Sequence, residues 1–269
     1  MLPFLFLLAV PPQPLTASDI MARVAEAQDR AVEQRKSYVY QQRVKVETRR
    51  THGRLIRREI AVYTVTPGEN SSTKTLVSID GCHWNKGKWV EFHAEPVPLG
   101  DTIDADLIHD FRDDLLNEKS KDGIGSDLFP LTTAEQKNYR FELLGEQDVH
   151  GRKAWRIRFR PADHEELTWA GEALIDEQDF QPLNVYTQLS RRIPFAVRTL
   201  LGTDLPGIGF NVTYNRFPDG AWFPATFGTE FRLHVVFFLN REISVSMENT
   251  GFRHADVESR IDYGAPAAK

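Results

Sequence analysis

Three groupings in the sequence carry residue types that could do chemistry. His109-Asp110 with Asp113 and Asp114 puts an imidazole beside three carboxylates, a set that could hold a divalent metal or run acid–base catalysis. On a helix the same positions lie opposite Leu107 and Phe111, and a solvated acidic face is the expectation. Asp163-His164-Glu165-Glu166 resembles half of a zinc-binding helix. The second histidine is absent, since Thr168 stands there after Leu167, and Pro161 favours a loop, so no metal is expected. Arg156, Arg158 and Arg160 alternate along one strand pattern. They could touch phosphates or anionic lipid heads. The expectation is the water-facing side of a half-buried strand, with opposite charges on its neighbours.

No Gly-x-Ser-x-Gly elbow and no glycine-rich phosphate loop is present. Gly207-Ile208-Gly209 lacks a third glycine and precedes a strand pattern. Cys82 is the one cysteine, which excludes an intrachain disulfide and a cysteine-based zinc cluster and reads as a small buried hydrophobe. Nucleophile, base and stabiliser occur at no recognisable spacing. The expectation is therefore no enzyme, no cofactor and no metal, and an enzyme acting on an envelope lipid or polymer is kept as the last alternative.

A second kind of site is apolar. In Arg191 to Gly209, Pro194 suits the first turn of a helix and Gly202 its end. Phe195, Val197, Leu200 and Leu201 make a short apolar turn that must dock on something, because so brief a helix is unstable alone. Arg191, Arg192 and Arg198 flank it with positive charge. Two readings stay open: a cap on one end of the fold, or a lid whose apolar residues meet acyl chains and whose arginines meet anionic head groups.

These groups need a scaffold, and the sequence describes one. Asp19 to Lys36 carries Ile20, Val24, Ala27 and Ala31 at helical spacing, with Ser18 or Asp19 as cap. Gly100 to Asp122 carries Leu107, Phe111 and Leu115, with Ile108 and Leu116 beside them, as a second amphipathic helix. The rest alternates with period two: 38–48, 55–66, 74–80, 88–92, 139–147, 152–160, 169–176, 183–189, 208–217, 222–236 and 238–252. His52-Gly53, Asp80-Gly81, Asn85-Lys86-Gly87, His150-Gly151 and Asp179-Phe180-Gln181-Pro182 supply the turns. In 152–160, Trp155, Ile157 and Phe159 share a face and should point into the hollow. In 222–236, Phe227, Phe231, Leu233 and Val235 share one, with Phe237 beyond, and Glu230, Arg232 and His234 take the other. About eleven antiparallel strands with two helices predict a mainly β (α+β) fold, a curved sheet forming an unclosed barrel. A sheet that wide is not filled by its own side chains, which leaves a cavity or groove.

The chain of 269 residues has 33 Lys plus Arg and 38 Asp plus Glu, for a net charge of −5. No whole-chain electrostatic case for nucleic acid exists. Leu2 to Val10 is apolar and is broken by Pro11, Pro12 and Pro14. It is too short to span a membrane and fits a secretory signal, so export is expected, with no transmembrane span afterwards. The expected organisation is a signal over 1–17, one domain over 18–262 and a flexible tail over 263–269. Asn70-Ser71-Ser72 and Asn211-Val212-Thr213 match the glycosylation sequon.

Gly171-Glu172-Ala173-Leu174-Ile175-Asp176, followed by Phe180-Gln181-Pro182-Leu183, resembles the strand, Ile-Asp, turn, Pro-Leu strand of the LolA-like superfamily. Asp219-Gly220-Ala221-Trp222-Phe223-Pro224 resembles the late Gly-x-Trp-x-Pro hairpin of the same proteins. That superfamily includes periplasmic outer-membrane lipoprotein-sorting carriers, their LolB-like acceptors and the sensor domain of RseB-like proteins. The resemblance covers most of 19–255. It implies an unclosed β-barrel with helices against its hollow face, binding lipid or lipidated protein in the periplasm. A sensor or adaptor that binds an envelope protein partner is the alternative. The stretch around 190–209 is an addition relative to the smallest carriers.

Overall fold

The computed structural model describes residues 14–50, 52–67, 72–93, 104–105, 130–163, 169–189, 203–204, 209–235 and 239–255, with backbone alone for 67, 203–204, 230–235 and 239. The first element is helix α1 (Ala17–Arg35), whose buried stripe includes Ile20, Met21, Val24, Ala27 and Ala31. Its cap is Thr16, ahead of the expected Ser18 or Asp19. The Thr16 hydroxyl accepts from the Asp19 amide at 3.2 Å and the Asp19 carboxylate accepts from the Thr16 amide at 3.0 Å. Asp19 is thus the reciprocal partner of a capping box rather than the cap itself. Leu15 packs against the core just ahead of it.

Strands follow in hairpins: β1 (Tyr38–Arg49), β2 (Leu55–Pro67), β3 (Ser72–Asn85) and β4 (Lys88–Phe92). After the single-turn helix α2 (Thr133–Gln136) come β5 (Tyr139–Val149), β6 (Arg152–Pro161), β7 (Trp169–Asp176) and β8 (Pro182–Leu189). The chain ends in β9 (Thr203–Asp204), β10 (Gly209–Arg216), β11 (Trp222–Val235) and β12 (Leu239–His254). The sheet runs β4-β3-β2-β1-β12-β11-β10-β8-β7-β6-β5, and β9 pairs with β11 off that path. All pairings are antiparallel. Two meanders are therefore joined where the first strand pairs with the last, and β4 and β5 end the path without closing it. This is the mainly β, unclosed sheet with helical packing that the period-two segments predict.

Asp80-Gly81 is not a turn. β3 runs straight through it, and Gly81 is there for another reason: a Cβ at that position would stand 2.0 Å from the Phe92 ring on the neighbouring strand. The real turn is Lys86-Gly87, whose φ values of 43° and 87° make the two-residue connection between paired Asn85 and Lys88. Of the helix expected over 100–122, Asp104 and Ala105 are helical and buried, and Leu107, Ile108, Phe111, Leu115 and Leu116 lie outside the described residues. So do the side chains of 230–239.

The core forms on one face of the sheet. A row of directly paired side chains runs Ile157–Ala173–Val185–Val212 from β6 to β10. It continues Phe227–Met247–Val44–Ala61–Ile79 from β11 to β3. Every member is apolar and buried. Because the side-chain period is two, this one row fixes the facing of each strand it crosses. Ile20, Met21 and Val24 of α1 pack into the same cluster.

Candidate ligand-binding face

The expected inward residues of β6 lie on this face. Ile157 and Phe159 are buried in the main core, and half-buried Trp155 packs against it with its ring 5.2 Å from that of Phe180. A Cβ at Gly171, across from Phe159, would stand 2.9 Å from the Phe159 ring and 1.9 Å from a backbone oxygen of β8. That residue is small so that the ring can lie across the neighbouring strand. The arginines of β6 point away. Arg156 and Arg158 reach Glu172 at 3.2 Å each, and Arg158 and Arg160 reach Glu142 at 3.2 and 3.0 Å. These are exposed pairs between neighbouring strands.

The two stretches that resemble the LolA-like superfamily both hold α1 to the sheet. Gln181 lies in the β7–β8 turn, buried. Its side-chain nitrogen donates to the carbonyl of Ala27 at 2.9 Å, and its side-chain oxygen accepts from Gln28. Arg35 donates to the carbonyl of Trp222 at 2.9 Å. The first contact is shaped by Asp176. Its carboxylate accepts from the amides of Gln178 at 3.0 Å and Asp179 at 2.8 Å, and from Arg152 at 2.6 Å. Burial alone would raise that carboxyl. The Arg152 bond and the two amides outweigh it and hold the group below the ordinary carboxylate range. The second motif begins at Asp219, which accepts from the Tyr38 hydroxyl and from the Ala221 amide. Burial and that carboxylate together push the Tyr38 hydroxyl up to about 12.

The face changes character at one end. Two residues beyond the apolar row, β2 presents Glu59 opposite Val46; two further on it presents Arg57 opposite Thr48. Arg57 is 3% exposed and Thr48 0%. The Arg57 guanidinium donates to Glu59 at 3.3 Å and lies 4.8 Å over the Phe92 ring that fills the space left by Gly81. Arg58, one residue on, faces the other side and bonds Glu47 at 2.7 Å. Near this end Arg241 grips Asp104 with two bonds of 2.6 and 3.0 Å. The Thr48 hydroxyl, the Arg57 Nε and the Thr229 hydroxyl are buried with no hydrogen-bond partner.

None of these polar residues is singled out by motif reasoning. A signal for them exists: once the β1–β2 register places Val44 opposite Ala61, a strand step of two puts Glu59 and Arg57 on the inward face, where charged side chains are rare unless paired. The proposed lid residues Phe195, Val197, Leu200 and Leu201, with Arg191, Arg192 and Arg198, lie outside the described residues. So do His109, Asp110, Asp113 and Asp114, and His164, Glu165 and Glu166. Among the described residues no group of three or more metal-ligating side chains converges. On the opposite face a groove of about 840 Å³ is lined by Leu174, Asn184, Tyr214 and Trp222. Its two arginines are already engaged, Arg152 with Asp176 and Asp179, and Arg216 with Asp179 at 3.1 Å.

No family model matches the chain, and no curated protein does. Solved structures are similar to it. A LolA superfamily protein from Nitrosomonas europaea is 11% identical with a TM-score of 0.38, over 91% of this chain and 96% of that one. A putative outer membrane lipoprotein-sorting protein domain from Vibrio parahaemolyticus is 13% identical with a TM-score of 0.40, over 91% and 97%. The complex of MucA and MucB from Pseudomonas aeruginosa holds a chain 13% identical to this one, with a TM-score of 0.24 over 88% and 98%. Among the described residues no helix is long and apolar enough to cross a membrane.

Proposed function

We propose that this protein is an exported carrier of the bacterial envelope that holds the acyl chains of a lipid or lipidated protein against the apolar face of its open sheet. The observation that carries this reading is the width of that face. From β6 to β3 the apolar row crosses strands spaced about 4.8 Å apart, so it spans roughly 38 Å. Helix α1, at 19 residues, is about 28 Å long and about 10 Å across. Among the strands it packs chiefly on β5 and β11. One helix is too small to cover such a face alone, yet every residue of the row is buried; in this reading bound acyl chains take the place of part of that cover, and extended chains suit a long apolar surface. In this reading Trp155, Ile157 and Phe159 belong to the acyl-binding face. The segment with Phe195, Val197, Leu200 and Leu201 closes over it, and Arg191, Arg192 and Arg198 sit by the head group. No catalytic step, cofactor or metal is part of the proposal.

Native mass spectrometry of the protein purified from its own host tests it, with co-purified lipid as the expected result. A fluorescent fatty-acid probe tests the lid. Phe195→Asp with Leu200→Asp should abolish uptake while circular dichroism stays native, and undiminished uptake would leave a structural cap.

One observation favours an adaptor that binds an envelope protein. The edge strand β4 exposes Trp89 at 45% and Val90 at 40%, and an extended segment could add to that edge. Co-purification of a stoichiometric protein in place of lipid, lost in Val90→Pro, would select this second reading.

A further inference from the structure

The polar end of the inward face is built with donors left over. Arg57 and Thr48 are direct cross-strand partners, so their side chains start about 5 Å apart. The guanidinium is fixed in place, with Phe92 beneath it and Glu59 on one terminal nitrogen. Its Nε–H and the Thr48 hydroxyl have no partner. The Thr229 hydroxyl, also without a partner, lies on the same face across β12, opposite Val245. Buried polar groups in a folded protein are almost always satisfied, and two neighbouring exceptions, with a third two strands away on the same face, ask for a missing acceptor. The cluster adjoins the apolar row, where the polar end of a bound acyl chain would emerge.

Charge decides what kind of acceptor fits. Arg57 is already neutralised by Glu59, and Arg241 by Asp104. A carboxylate or phosphate brought to Arg57 Nε would stand beside the Glu59 carboxylate, and neither Arg57 nor Arg241 has charge to spare for it, so part of the cost of burying that charge would stay unreturned. An uncharged carbonyl oxygen takes both donors without that cost. We propose that Arg57 Nε and the Thr48 hydroxyl receive the carbonyl oxygen of an acyl ester or amide, with Thr229 placed for a second oxygen of the same head group, so that the protein selects esterified or amide-linked acyl chains over free fatty acids. This rests on the acyl-carrier reading above.

The test uses the full delipidated chain loaded with a fluorescent fatty-acid probe. Monopalmitoylglycerol and palmitate are compared as competitors. The wild-type protein should release the probe at a monopalmitoylglycerol concentration at least tenfold below that needed with palmitate. Thr48→Val should shrink that ratio several-fold by weakening the ester and leaving palmitate unchanged. Because it removes a hydroxyl that has no partner, it should not lower the thermal midpoint. Thr48→Ser, which keeps the hydroxyl, should keep the ratio, and Thr229→Val should reduce it less than Thr48→Val does. Probe binding with equal competition by the two lipids, or a ratio untouched by Thr48→Val, would overturn this inference alone and leave the donors to buried water. Failure of the wild-type chain to bind the probe or either lipid would overturn the acyl-carrier reading and this inference with it.

Discussion

Two places on the same sheet face, four residues apart along β1 and β2, have opposite chemistry. The row through Ile157, Val185, Phe227 and Val44 is apolar at every strand from β6 to β3. At Thr48 on β1 and Arg57 on β2 the face is polar and no less buried, while Ile243, beside Thr48 on β12, is apolar again. The first gains stability from each side chain it removes from water. The second carries the cost of desolvating a guanidinium, a carboxylate and a hydroxyl, only part of which the Arg57–Glu59 bond returns. A fold that needed nothing but a core would continue the apolar pattern to the end of β2. Under the proposal above, the contrast teaches that stability and recognition are separated along the strand direction of one continuous surface.

The comparison can be broken first at the apolar row's edge. Phe159→Ala, in a fully packed position over Gly171, should lower unfolding free energy by about 3–5 kcal/mol, read as a large fall in the urea midpoint. A fall no larger than that of a surface variant would mean the row is not a packed core. The polar end should answer differently. Arg57→Met alone removes the Arg57 bond from buried Glu59 and should cost about 3 kcal/mol. The double variant Arg57→Met with Glu59→Leu should recover most of that loss in the same titration. Additive losses would show that the two charges do not act as a pair.

A third comparison concerns Asp176, whose charge is held by Arg152 and two amides where Arg57 is held by one carboxylate. Its carboxyl lies below the ordinary range in the folded chain. The stabilisation is therefore present above the unfolded value of about 4 and is lost as pH falls through the lowered folded value. Asp176→Asn should cost about 2 kcal/mol at neutral pH. It should also flatten the loss of stability between neutral and acid pH, and an unchanged acid limb would remove Asp176 from that role. The smallest effect is expected on the outer face. Arg158→Ala breaks exposed pairs with Glu142 and Glu172 and should cost under about 1 kcal/mol, less still at high salt.

Much of the scaffold was legible in the chain because antiparallel meanders are local. Each hairpin is set by a turn a few residues long and by alternation on either side. The strands over 152–160 and 169–176 could be written down from Trp155, Ile157 and Phe159, the His150-Gly151 turn and the Asp179-Phe180-Gln181-Pro182 turn. Asp80-Gly81 misled because the same dipeptide serves a turn or a close approach. Which one applies depends on Phe92, a partner that period-two reading does not place. Thr16 was passed over for Ser18 or Asp19 because a capping box is recognised from both of its members.

The sequence by itself determined the strand periods, a first helix over 19–36 and the absence of catalytic spacing, since each is a property of neighbours along the chain. Only the tertiary structure decided that the first strand pairs with the last, and that α1 is fastened by Gln181 and the carbonyl of Trp222. It alone set Thr48 beside Arg57 at the polar end of the apolar face. Those are contacts between residues far apart in the chain or dependent on register, and their free energy is gained only when the whole sheet has assembled.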